Sequence, residues 1–100
     1  PVLPGYATNN AHMFYLVFQD LELRTNFIAH MKAQGILCVF HYLPLHSSDF
    51  YKGMHGEERI LPNCDKFADC LVRMPLYYEL TEEEVVSVVG AVRTWKGNRV

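Results

Sequence analysis

The sequence predicts an α/β (α+β) domain: a small, incompletely layered unit with a sheet of about three strands and helices on one face. Three observations predict it. Apolar runs rich in β-branched and aromatic residues occur at 12–18, 36–46 and 72–78. Between the runs, and again after the last, lie segments whose apolar residues recur at helical spacing. Finally, 100 residues leave room for one core and no more. The expected order is strand, helix, strand, loop, helix, strand, helix.

Residues 1–11 hold two prolines, a glycine and the Asn9-Asn10 pair without periodicity, and read as a linker into a domain at 12–97, with a tail at 98–100. His12 to Phe18 is an apolar run with no polar alternation, as in a strand covered on both faces. Asp20 is placed as an N-cap, Leu23, Phe27, Ile28 and Met31 form a helical stripe, and Gly35 stops the helix. His30 and Lys32 fall off that stripe. Ile36 to His46, bounded by Gly35 and Pro44, reads as the central strand of the sheet. With about a dozen helical residues between them, these two strands fit a parallel crossover, or an antiparallel neighbour one strand removed.

Ser47 to Leu61 carries Gly53 and Gly56 among mixed charges and reads as a long loop, a feature more often functional than idle. Asn63 is expected to cap a short helix with Cys64, Phe67, Ala68 and Leu71 on one side. Val72 to Tyr78 is broken by Pro75, which confines it to an edge or a short strand. Thr81 and Glu84 form a capping box, with Leu80 and Val85 spaced for a hydrophobic staple. Glu82 and Glu83 suit the positive end of the helix dipole, and Arg93 and Lys96 suit the other. Val85, Val88, Val89, Val92 and Trp95 form the buried stripe, and Gly97 is the expected stop.

Composition excludes several functions. A formal net charge of -2, with five histidines uncounted, offers no basic field for nucleic acid. No apolar stretch is long enough to span a membrane. Cys38, Cys64 and Cys70 are odd in number and make no C-x-x-C pair, so reduced thiols in a cytoplasmic protein are the expectation. Six Tyr, six Phe and one Trp exceed what so small a core hides, which predicts that some meet a partner or another domain. The chain begins Pro1-Val2 without an initiator methionine, as expected of an excised piece of a longer protein and equally of a chain that has lost a single methionine.

His41 and His46 flank the exit of the 36–46 run. Their separation of five is not a metal-ligand spacing on a helix or a strand. A structural role outweighs a catalytic one for His41, and the two weigh evenly for His46 in its loop. Tyr42 is more often core than site. The three glutamates at 82–84 are explained by capping. No nucleophile pattern is present, and Lys32, Lys52, Lys66 and Lys96 all sit in polar contexts, unlike a desolvated Schiff-base amine. Taken alone, these residues do not make a complete enzyme.

Three segments in order, Asn10-Ala11-His12-Met13-Phe14-Tyr15, Phe40-His41-Tyr42-Leu43-Pro44-Leu45-His46 and Met74-Pro75-Leu76-Tyr77-Tyr78 with Leu80-Thr81, resemble the C-terminal part of the DegT-type sugar-nucleotide aminotransferases. The resemblance runs from about Asn10 to Trp95. It implies the small domain of a fold type I aminotransferase that uses pyridoxal phosphate to move an amino group from glutamate to a 4-keto-6-deoxy sugar nucleotide. The cofactor and its lysine would belong to a large domain of the same polypeptide, and the full-length protein would be a homodimer. Tyr42 and His46 are the implied substrate contacts, with no catalytic, cofactor or metal residue in this chain. The alternative is a free-standing α/β binding or interaction module that shares only the β-α-β order.

Overall fold

The computed structural model describes residues 2–57 and 59–97. The expected tail at 98–100 lies outside the described residues. Residues 2–14 have no regular secondary structure and close in two Asx turns, Asn9 Oδ1 accepting from Ala11 N at 2.9 Å and Asn10 Oδ1 from His12 N at 3.3 Å.

The ordered elements begin with β1 (Tyr15–Val17) and α1 (Leu21–Ala33). α1 starts where the Asp20 carboxylate accepts from Leu23 N at 2.8 Å. It ends in a Schellman motif, with Gly35 N donating to Lys32 O and Ile36 N to Met31 O, both at 3.0 Å. The motif needs a left-handed residue, and Gly35 supplies a φ of +76°. Phe27 and Met31 are fully buried on the inner face of α1 and Leu23 and Ile28 partly so, as the stripe predicts. Each such side chain contributes about 1.5–3 kcal/mol of burial.

After β2 (Val39–Phe40) a 3-10 turn (Leu45–Ser47) leads to α2 (Asp49–His55), α3 (Pro62–Cys70), β3 (Leu71–Arg73) and α4 (Glu82–Thr94). The strand order is β1-β3-β2, and β3 is antiparallel to both neighbours. β1 and β2 therefore run parallel to each other with one strand between them, a split β-α-β unit. Side chains alternate across the sheet. Leu16, Phe18, Cys38, Val72 and Met74 join α1 and Ala91 of α4 in the core. Tyr15, Val17, Val39, Leu71 and Arg73 occupy the opposite face. Among the described residues no helix is long and apolar enough to cross a membrane.

Several expectations are corrected. The central strand is β3 and not the 36–46 run, of which only Val39 and Phe40 pair. Pro75 lies beyond the end of β3, so its missing N–H removes no rung of the ladder. Leu71 begins this strand instead of closing the α3 stripe. The supposed loop at 47–61 contains α2, capped by Ser48 Oγ accepting from Tyr51 N at 3.2 Å and ended by Gly56 with φ +73°. α3 starts at Pro62, one residue before the expected cap, because Asp65 Oδ2 accepts from Leu61 N at 3.1 Å.

The capping box of α4 is present in full, but Val85 and Val89 are 44% and 42% exposed, so the buried stripe narrows to Val88, Ala91 and Val92, with Trp95 packed against Phe27 just past the helix. The helix ends at Thr94, and Gly97 serves the Trp95 ring, which a Cβ there would strike. His30 is not idle either. Its Nε2 donates to the Ala91 carbonyl at 2.9 Å and ties α1 to α4.

Candidate functional site

The sheet face opposite the helices carries the candidate site. β3 runs through its centre, and Arg73 stands opposite Tyr15 on one side and Val39 on the other. Where β2 ends, the chain turns through residues 41–44, and Tyr42 comes to rest beside the arginine. The Arg73 guanidinium carbon lies 5.7 Å from the centre of the Tyr42 ring, within cation–π range. The His41 ring meets Tyr42 edge-on at 4.8 Å.

Tyr42 is 73% exposed, and Leu43 and Leu45 are more exposed still. His46, by contrast, is 7% exposed, and its Nε2 donates to Asp65 Oδ1 at 2.7 Å. The same carboxylate caps α3 through Leu61 N, so one side chain pins both the 3-10 turn and the start of the next helix. An imidazole so placed offers a ligand little surface. Thus the two residues singled out from the sequence lie in the same turn region, Tyr42 open and His46 closed.

Two hollows flank this region. The larger, about 600 Å³, lies between the exit of β3, the start of α4 and the α1–β2 turn, with His12, Leu37, Arg73, Tyr77, Glu84 and Val88 in its wall. The smaller, about 290 Å³, is apolar and runs between His41 to Leu45 and Phe67 of α3. In the larger one the Thr81 backbone N–H, and then the Tyr77 hydroxyl, hold the Glu84 carboxyl below its usual value. Burial pushes the Cys38 thiol up, and that thiol points to the Met74 sulfur at 3.8 Å.

Neither hollow has a lysine in its wall. Neither of these two hollows therefore offers an amine to the aldehyde of pyridoxal phosphate. Arg73 escaped the sequence reading. Its signal is an arginine inside the apolar run Leu71-Val72-Arg73-Met74, where a cation is seldom tolerated without a purpose.

The chain is thus a split β-α-β domain with Arg73 and Tyr42 on the sheet face away from α1 and a cleft between the end of β3 and the start of α4. The comparisons give its family. The profile of the DegT/DnrJ/EryC1/StrS aminotransferase family matches residues 3–93, and the chain belongs to that family. It is 31% identical over 94 residues to the dTDP-3-amino-3,4,6-trideoxy-alpha-D-glucose transaminase of Streptomyces venezuelae, covering 93% of this chain and 25% of that protein. The aminotransferase TlmJ from Streptoalloteichus hindustanus superimposes with a TM-score of 0.81 at 28% identity, covering 93% of this chain and 24% of TlmJ. Spr1654 from Streptococcus pneumoniae, assigned as a sugar aminotransferase and solved in a PMP form, gives 0.73 at 26% identity over 83% of this chain and 21% of its own. The chain spans about a quarter of the length of the curated relatives it matches.

Proposed function

We propose that this chain is the C-terminal small domain of a pyridoxal-phosphate-dependent aminotransferase that moves an amino group from glutamate to a 4-keto-6-deoxy sugar nucleotide. The acceptor we assign is dTDP-linked, the substrate type of dTDP-4-amino-4,6-dideoxygalactose transaminase, whose small domain the three motifs resemble. Such an activity belongs to cytoplasmic precursor synthesis for cell-surface polysaccharide. The cofactor is held by the preceding large domain, and the full-length protein is a homodimer. The observation that carries the reading is a family match extending over residues 3–93, which is a whole domain and not a single motif.

In this reading the chain performs no bond chemistry. The side of the domain that carries Arg73 and Tyr42 covers the reaction site, removes water from it and orients the sugar nucleotide. Tyr42 touches the substrate directly. His46 serves it from behind, because the bond to Asp65 fixes the turn that follows Tyr42.

The test is an assay of the full-length protein with pyridoxal phosphate, glutamate and dTDP-4-keto-6-deoxyglucose, with the amino sugar read by mass spectrometry. Product is expected from the full-length protein, and none from the 100-residue chain, which should also leave the absorbance of pyridoxal phosphate unchanged. A full-length protein with bound cofactor and no amino-sugar product would remove the substrate assignment. Specific cofactor attachment to one lysine of the isolated chain would remove the domain assignment.

A further inference from the structure

Arg73 sits in an arrangement that capping, packing and the covering role leave unexplained. It stands on the central strand of the sheet, half-buried, where desolvation makes an unpaired cation costly. No Asp or Glu pairs with it among the described residues. Its Nε is buried and has no hydrogen-bond partner, and the same holds for His41 Nδ1, so both neighbours of the Tyr42 ring carry an unsatisfied nitrogen. A buried donor left alone costs about 1–3 kcal/mol, and native structures rarely keep one without a reason. Arg24 of α1, also half-buried, shows the contrast. Its guanidinium covers Phe40, and its Nε donates to the Asp69 carbonyl at 2.9 Å.

We infer that Arg73 is the anchor for an oxyanion of the substrate, a carboxylate or a phosphate, bound in the 600 Å³ cleft. The guanidinium is a planar fork suited to two-point recognition of such groups, and its carbon lies 5.7 Å from the centre of the Tyr42 ring. The cleft has the volume of a small-molecule site, apolar walls from Leu37 and Val88, and a hydrogen-bonding ring from His12. A ligand there meets the arginine at the sheet and a mixed wall above it. The one anion in the wall, Glu84, keeps its charge while accepting from Thr81 N at 2.9 Å, and among the described residues it forms no ion pair with the arginine. The inference deepens the sugar-nucleotide reading and rests on it. It names the residue that would take either the diphosphate of that substrate or a carboxylate of the amino donor.

The experiment is calorimetric titration of the cofactor-loaded full-length protein with inorganic pyrophosphate and, separately, with glutarate, comparing wild type, Arg73→Gln and Arg73→Lys. Turnover is not needed, so failure of the aminotransfer assay and failure of this proposal are separate results. Wild type should bind at least one of the two anions. R73Q should weaken that binding about 10- to 100-fold, as loss of a charge-assisted hydrogen bond does, and R73K should weaken it less. Loss for pyrophosphate alone assigns the site to the nucleotide, and loss for glutarate alone assigns it to the amino donor. If R73Q does not fold, R73K still decides, since losing the fork while keeping the charge must lower affinity. Unchanged affinity for both anions, or a wild-type protein that binds neither, would overturn the proposal. Loss of the cofactor from R73Q with unchanged anion affinity after reloading would overturn it as well, by placing the arginine elsewhere.

Discussion

His46 shows how one side chain serves two elements. Its Nε2 reaches Asp65, and Asp65 reaches Leu61 N, so a ring at the edge of the site also decides where α3 begins. Replacing His46 by Ala should cost about 1–3 kcal/mol, the range for a buried donor–acceptor pair broken on one side. Asp65→Ala should cost at least as much, because it releases the cap as well. The double variant should cost less than the sum, since both changes break the same bond. Urea unfolding of the chain at low concentration measures all three. Strict additivity would mean that the two side chains do not act together. At the same scale, Arg73 and Tyr42 illustrate why a site is hard to read from one residue. Tyr42 was visible as part of an aromatic run, whereas its partner lies 31 positions further along the sequence on another strand.

Among the elements, α4 is the one whose beginning follows most directly from its residues. Thr81 Oγ1 accepts from Glu84 N at 3.2 Å while the Glu84 carboxylate accepts from Thr81 N at 2.9 Å, as the spacing of the two residues demands. The carboxylate is bonded in its charged form, so its folded value lies below the usual 4.5. Its contribution to stability is therefore complete above the usual value and is lost as pH falls through the depressed one. The difference in melting temperature between wild type and Glu84→Gln should shrink as pH falls below 4.5. Parallel curves for the two proteins across that range would show that the bond does not matter. The end of α1 is equally local, because only a glycine adopts the φ of +76° at Gly35 without strain. α2 was missed although Ser48 and Gly56 are ordinary start and stop signals, because its seven residues bury no stripe that periodicity could reveal.

The molecule as a whole exposes more surface than a self-contained domain of its size. Its accessible surface is 8108 Å², against about 5,800 Å² expected for a folded monomer of this mass. Its radius of gyration is 16.1 Å, against about 13 Å for a compact chain of this length. Much of the excess is apolar: Tyr42, Leu43, Leu45 and Phe50 are each more than 70% exposed. We expect the isolated chain to bind the dye ANS and to associate as concentration rises, and the full-length protein to do neither through this surface. Sedimentation and dye fluorescence test this. A monodisperse, dye-silent chain would show that the surface needs no cover.

What the sequence determined by itself is local in its physics. Caps at Asp20 and Thr81, the stop at Gly35, the stripe of α1 and the three-strand, one-sided fold class all depend on spacing within a few residues, and spacing is written in the chain. The family motifs were legible for the same reason, being short words in a fixed order. Only the tertiary structure decided the rest. Strand order is a matter of which segments meet, and β3 became central because partners 32 to 58 positions away reached it from both sides. His46 is closed and Tyr42 open because α3 packs against one and nothing covers the other. Arg73 became a candidate anchor when folding buried its Nε and set it beside Tyr42 with no anion paired to it among the described residues.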